Sequence, residues 1–297
     1  MAIKTAKATI NGQDYTLTLN ASTGNYEATI TAPSKSSYTL AGHYYPVTIK
    51  VTDTAGNTTT KDSTDATLGA SLRLVVKEKV APVSVFTYPT AGSAIITNKP
   101  TFKWKVTDND SGVNSDTIGI TIDSGSKITS GITKTAITGG YECSYTPTTA
   151  LSDGSHTVKV DATDFDGNAS TQVSVQFKID TVPPTLTLSN PADGLVTNNK
   201  SLTVSGTTND ATSSPVTVKV NGTAVTVGSN GTFSTTITLV EGSNTITVVA
   251  TDSAGKSSTV NRKVTLDTKA PTISAVTLTP NPVDGGKTFI ISVKVSD

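Results

Sequence analysis

Two histidines, one cysteine and a few closely spaced aspartates are the residues of this 297-residue chain whose types and spacing could do chemistry. A histidine that acts as a general base needs a nucleophile and an orienting acid. His43 has no serine, cysteine or acid at a recognisable catalytic spacing, which leaves a nucleophilic triad without support. Cys143 is the sole cysteine, so an intrachain disulfide is excluded. It lies in an alternating segment, where a small buried side chain is expected rather than a reactive thiol. Asp108-x-Asp110-x-Gly112 and Asp164-x-Asp166-Gly167 offer the hard oxygens that calcium collects, about six to eight per ion. Neither completes a dedicated calcium loop, and a turn accounts for each leading aspartate. The expectation is therefore no catalytic, cofactor-binding or metal-ligating residue, with calcium at Asp108, Asp110, Asp164 and Asp166 as the alternative. Tyr38, His43, Tyr44 and Tyr45 are the densest aromatic cluster, and exposed rings there would stack on sugars.

The elements that position these residues repeat. Val-Thr-Ile-Lys-Val-Thr-Asp-Thr-Ala-Gly-Asn at 47–57 returns as Val-Lys-Val-Asp-Ala-Thr-Asp-Phe-Asp-Gly-Asn at 158–168. It returns again as Ile-Thr-Val-Val-Ala-Thr-Asp-Ser-Ala-Gly-Lys at 246–256. Strict two-residue alternation puts Val47, Ile49 and Val51 on one face of a half-buried strand, as it does Val158, Val160 and Ala162, and Ile246, Val248 and Ala250. The Asp-x-x-Gly that follows suits a type I turn, with Asp53, Asp164 and Asp252 in first place and Gly56, Gly167 and Gly255 in fourth. Aligned on this phrase, His156 coincides with Tyr45 and Asn244, two residues before a buried strand position. A polar tie from a corner to the backbone explains all three, so His156 is expected to be structural. Tyr26, Tyr141 and Phe233 likewise coincide in a mid-domain phrase, which aligns Cys143 with Ala28 and Thr235. In 101–106, Phe102 and Trp104 point one way and Lys103 and Lys105 the other, placing Trp104 in a core.

Composition agrees with a structural role. Charged residues are 15% and hydrophobic residues 35%, with Thr, Ser, Asn and Gly filling the difference. Threonine suits the exposed face of strands, because its branched carbon fits the pleat and its hydroxyl meets water. The formal net charge is zero, and no run of Lys or Arg forms a phosphate-tracking stripe. Nucleic acid is excluded as a partner on that ground, and no apolar run suits membrane insertion. The opening Met-Ala-Ile-Lys-Thr-Ala-Lys-Ala-Thr-Ile lacks the apolar stretch of an export signal. Met1 is read as a natural start or as one added to an excised fragment.

Proline-stiffened linkers at 78–82, 180–184 and 267–271 divide the chain. The expected domains are 1–81, 82–180, 181–269 and 270–297. Thr9-Ile10-Asn11-Gly12 matches Lys219-Val220-Asn221-Gly222, which lies far inside the third domain, so the first domain is expected to lack its two opening strands. Residues 270–297 read as two opening strands of an incomplete fourth domain, and two strands cannot bury a core alone. A longer chain cut at this point is the simpler expectation. The sharper one is that 271–297 of one copy completes the first domain of another, giving a homo-oligomer.

These phrases resemble the bacterial immunoglobulin-like domain superfamily. The likeness is carried by Val-Asn-Gly-Thr-Ala-Val at 220–225, Gly231-Thr232-Phe233, Glu241-Gly-Ser-Asn-Thr-Ile and Ala250-Thr-Asp-Ser-Ala-Gly, and this third domain looks like the variant beside polysaccharide-degrading enzymes and in adhesins. The second is similar at its ends with a longer middle. The opening domain, with Tyr44-Tyr45-Pro46-Val47-Thr48 and an extended segment at 58–76, looks like the start of Ig-like proteins of prophages from Gram-positive bacteria. The resemblance implies an all-β chain of tandem immunoglobulin-like β-sandwich domains in an elongated rod, on the order of 100 Å for three sandwiches. The opening domain's likeness implies a place in a virion, on the tail; with no catalytic constellation and no export signal, the expectation is a non-enzymatic phage tail protein, without cofactors, that displays these domains for contact with the bacterial host surface. Its partners would be other tail or baseplate proteins and a surface carbohydrate or protein. The alternatives are a fragment of a secreted cell-surface adhesin or stalk, located outside the cell, and the accessory module of a polysaccharide hydrolase.

Overall fold

A computed structural model describes residues 2–297; Met1 lies outside them. About half of the chain is strand, at 50%, and the only helical pieces among the described residues are short 3-10 turns at Ala41–His43, Gly69–Leu72 and Ser115–Thr117. It divides into two compact units, Met1–Ser93 with Asn98–Lys178, and Ala94–Thr97 with Ile179–Asp297.

The first unit opens with β1 (Ile3–Ile10), β2 (Gln13–Leu19), β3 (Tyr26–Glu27), β4 (Tyr45–Asp53), β5 (Thr58–Lys61) and β6 (Arg73–Leu74). They form one sheet in the order β3-β2-β1-β4-β5, with β6 also paired to β4. Asn11 and Gly12, at φ 48° and 77°, make the tight β1–β2 turn, whose left-handed geometry matches the twist of the strands it joins. The buried apolar set here is small: Ala6, Ala8, Ile10 and Tyr45. Val47, Ile49 and Val51 remain only half-buried on β4, in a part of the chain that forms this one sheet.

The same unit continues with β7 (Val83–Tyr88), β8 (Ala94–Ile95), β9 (Phe102–Thr107), β10 (Gly119–Ile122), β11 (Thr133–Ile137), β12 (Gly140–Tyr145), β13 (Gly154–Asp161) and β14 (Val173–Ile179), of which β8 is assigned to the second unit. One sheet runs β11-β12-β9-β7, and the other places β13 between β10 and β14. Their inner faces supply Phe102, Trp104 and Val106 against Ile118, Ile120, Val158, Val160 and Phe177, all at most 2% exposed. Phe102 meets Phe177 edge to face at 5.5 Å.

The second unit holds β15 (Thr185–Asn190), β16 (Leu195–Thr197), β17 (Ser201–Asn209), β18 (Thr217–Val220), β19 (Thr223–Val225), β20 (Thr232–Thr238), β21 (Gly242–Thr251) and β22 (Ser257–Leu266). A sheet β15-β17-β20 and a sheet β16-β22-β21-β18-β19 enclose one core, which includes Val204, Phe233, Val218, Val220, Ile246, Val248, Ala250, Val264 and Leu266. Every neighbouring pair is antiparallel except β16 with β22. The final hairpin, β23 (Thr272–Thr279) with β24 (Ile290–Ser296), pairs Ile273 with Val295, Val276 with Val293 and Leu278 with Ile291. All of its side chains are exposed.

Candidate functional site

The repeated corner is built by its aspartate. Gly56, Gly167 and Gly255 each sit at φ 93° and donate N–H to the carbonyl of the aspartate three residues before. In the first domain Asp53 Oδ1 accepts Asn57 N–H at 2.9 Å while Oδ2 accepts the Asn57 amide at 2.9 Å, and these bonds lower the Asp53 pKa. Asp164 repeats the arrangement with Asn168, at 2.8 and 2.7 Å. Asp252 differs. Its Oδ1 accepts the N–H groups of Ala254 and Lys256 at 2.8 and 2.9 Å, and Lys256 has no amide to offer Oδ2.

The corners of Asp164 and Asp252 belong to two acid triads that the fold assembles from separated segments. One carboxylate oxygen from each of Glu78, Asp108 and Asp164 lies within 4.8 Å of the others, and the same holds for Asp180, Asp210 and Asp252. Each triad takes one acid from a linker, one from just after an opening strand (β9 or β17) and one from the corner after β13 or β21. In the first triad Glu78 Oε1 accepts Ser111 N–H at 2.7 Å, and Asp108 Oδ1 accepts Asp110 and Gly112 N–H at 3.0 and 2.8 Å. The Asn168 amide reaches both Asp164 Oδ2 and, at 3.2 Å, the Glu78 carbonyl. In the second, Asp210 Oδ1 accepts Thr212 and Ser213 N–H at 2.8 and 2.6 Å, and Asp180 Oδ1 accepts Val182 N–H at 3.2 Å.

The sequence grouping of these acids is thus corrected. Asp108 and Asp164 do come together, but Asp110 turns to Ser36 N–H at 2.9 Å and to Lys35 at 3.7 Å, and Asp166 accepts Glu78 N–H at 2.9 Å. Glu78, Asp180, Asp210 and Asp252 were missed as partners. The available signal was the acid that begins the first two linkers, Glu78 and Asp180, together with Asp108 and Asp210 after their strands.

His156 makes a corner tie. It is 8% exposed, its Nε2 lies 2.8 Å from the Ser152 carbonyl, and its Nδ1 lies 2.8 Å from Asp123 Oδ2. Burial opposes the charged ring, but the bonds to Asp123 and Ser152, with the charge of Asp123, raise its pKa above the ordinary histidine value. Asn244 likewise reaches four residues back, to the Val240 carbonyl at 2.7 Å, and Tyr45 donates to the Lys35 carbonyl at 3.2 Å. Cys143 is 3% exposed on β12, and burial pushes its thiol up to about 11.

The aromatic cluster is not an open stacking platform. Tyr38 stacks on Phe165 at 4.3 Å and on His43 at 4.4 Å, Tyr45 is buried, and the Arg73 guanidinium lies 5.0 Å above the Tyr44 ring. Phe165 comes from the corner of the second domain, a contact too distant in sequence to expect. A groove of 360 Å³ over the outer face of β9 and β12 is lined by Thr87, Lys103, Lys105, Thr135, Glu142 and Ser144 over Trp104 and Cys143. An ion pair of 2.7 Å joins Lys105 to Glu142 there. Among the described residues no helix is long and apolar enough to cross a membrane.

Comparison with known proteins agrees with the fold. Residues 90–181 match the family described as bacterial Ig-like domain, and residues 184–268 match glucodextranase, domain B. Bacillopeptidase F of Bacillus subtilis (strain 168) is 33% identical over 126 residues, 42% of this chain and 9% of that protein. Among solved structures, fibronectin(III)-like modules of Clostridium thermocellum CbhA align over 62% of this chain and 94% of theirs, at 20% identity and a TM-score of 0.37. An I-band fragment of titin aligns over 89% of this chain and 88% of its own, at 14% identity and a TM-score of 0.40. The immunoglobulin-like match is thus carried by residues 90–181, where two sheets enclose one core.

Proposed function

We propose that the chain is a non-enzymatic structural and adhesion protein that displays immunoglobulin-like domains for contact with a bacterial surface. The observation that carries this reading is the use made of the corner residues. At the positions where a catalytic histidine was conceivable, Tyr45, His156 and Asn244 each tie a corner to backbone. No hydroxyl or thiol among the described residues is hydrogen-bonded to His156. Display on a phage tail, with tail or baseplate proteins as neighbours, is the setting that the opening domain's resemblance to prophage proteins supports. Contact would be with a repetitive surface carbohydrate or a protein, without hydrolysis and without a cofactor.

The test is co-sedimentation of the purified chain with host cell walls. Binding without release of reducing sugars is the expected result, and sugar release by the chain alone would refute the non-enzymatic reading. A second setting, the accessory module of a secreted hydrolase or a cell-surface stalk, is favoured by the matches to glucodextranase domain B and to bacillopeptidase F. Detection of the chain by mass spectrometry in purified virions, or instead within a larger secreted enzyme, decides between the two.

A further inference from the structure

The two acid triads occupy matching places but differ in how their lone pairs are used. In the first, the Asn168 amide fills Asp164 Oδ2. In the second, Lys256 stands where that asparagine would be, and Asp252 Oδ2 is enclosed with no hydrogen-bond partner. Asp180 Oδ2 is in the same state. These carboxylates are deeply buried: Asp180 is 0% exposed, Asp252 6% and Asp210 8%. No lysine, arginine or histidine among the described residues is ion-paired with any of the three.

Buried carboxylates without a counter-charge are strongly unfavourable, and like charges converging make them more so. A cation satisfies all three oxygens at once. The oxygens lie within 4.8 Å of one another, close enough for one cation to touch all three, and a dedicated set of protein oxygens suits calcium, whereas magnesium keeps several of its waters. The donor set is purely oxygen, as a hard cation requires. Ser213, whose N–H lies 2.6 Å from Asp210 Oδ1, adds a buried hydroxyl that also has no partner.

We propose that Asp180, Asp210 and Asp252 form a calcium site within the second unit, and that the triad of Glu78, Asp108 and Asp164, whose corner is closed by Asn168, does not. The ion would fasten the linker residue Asp180 to the two loops that bear Asp210 and Asp252. Water and neutral oxygens complete the shell.

The test is calorimetric titration of the full chain, stripped with chelator, with calcium chloride. One ion per chain is expected, with a Kd on the order of 10⁻⁴ M, as for extracellular calcium modules. Addition of about 5 mM calcium should raise the Tm of the second unit. Asp252→Asn and Asp180→Asn should each weaken binding at least about tenfold. Lys256→Asn, which installs the asparagine found at the other two corners, should weaken it while leaving the circular dichroism of the chain unchanged. Absence of both heat and Tm shift in the folded wild-type chain would overturn the proposal. Loss of binding in Asp164→Asn with retention in Asp252→Asn would place the ion in the other triad and overturn it as well.

Discussion

Asp123 holds His156 from one side while its backbone grips the neighbouring residue: Oδ2 lies 2.8 Å from His156 Nδ1, Oδ1 accepts Thr157 N–H at 2.8 Å, and Asp123 N–H donates to the Thr157 carbonyl at 2.7 Å. The acid leaves β10 at φ 52° to make this clamp, a left-handed conformation that aspartate tolerates better than most residues. The end of β10 is thereby fixed to β13, and the ring of His156 is pressed on Phe177 at 5.7 Å.

Stability should follow the charge of that ring. Because the folded pKa of His156 is raised, its contribution is complete below the unfolded value near 6.5 and is lost as pH rises through the folded value. The urea midpoint of the first unit is therefore expected to fall as pH rises from below the unfolded value through the raised folded one. His156→Asn, the residue found at the aligned position in the third domain, should keep the backbone tie and flatten this dependence. A midpoint that falls equally in the variant would assign the titration to another group.

Cys143 should be chemically silent in the native chain. Its thiol is buried and its pKa is pushed up to about 11, so the thiolate is scarce near neutrality. A disulfide reagent at about pH 8 is expected to leave it unmodified until denaturant is added. Labelling of the folded chain at the rate of a free cysteine would contradict the buried placement.

Gly206 should not tolerate alanine. It faces Leu188 on β15 and Phe233 on β20, and an added Cβ would run into the Thr187 carbonyl and lie 2.9 Å from the Phe233 ring. One neighbour is backbone fixed in the sheet and the other, Phe233, lies in the packed core, so the clash is expected to cost about 2–3 kcal/mol. Equilibrium unfolding should show a lower denaturant midpoint with an unchanged slope.

If residues 271–297 of one copy complete the first domain of another, their removal should reduce self-association. The hairpin carries Ile273, Val276, Leu278, Ile291, Val293 and Val295 on exposed strands, and an uncovered two-stranded ribbon invites edge pairing with another copy. Light scattering is the measurement. An unchanged mass, with the first domain melting as before, would dispose of strand exchange.

Strand alternation was the most legible part of the sequence. Val158, Val160 and Ala162, and Ile246, Val248 and Ala250, are buried as their period requires, and so are Phe102 and Trp104. Those assignments need only neighbours along one strand. Val47, Ile49 and Val51 carry the same pattern and are only half-buried, because periodicity reports which way a side chain faces and not whether a second sheet stands opposite. The acid triads were illegible for a related reason: their members come from a linker and two corners far apart in sequence, and the tempting neighbours Asp110 and Asp166 are drawn off to Ser36 and Glu78. Local spacing made the turn visible and hid the cluster.

The parallel pairing of Leu195–Thr197 with Val264–Leu266 has a mechanical meaning. Gly194 N–H to the Lys263 carbonyl at 2.8 Å and Asp267 N–H to the Thr197 carbonyl at 2.9 Å extend the pair at either end. When the chain is pulled, β16 is drawn by its leading end and β22 by its trailing end, and in a parallel pair those ends lie at opposite extremes. Tension therefore slides the two strands past each other and loads their bonds together, where an antiparallel pair pulled from adjacent ends would open one bond at a time. Once β15 has peeled away, this short clasp is the latch that a tug on the third domain must break.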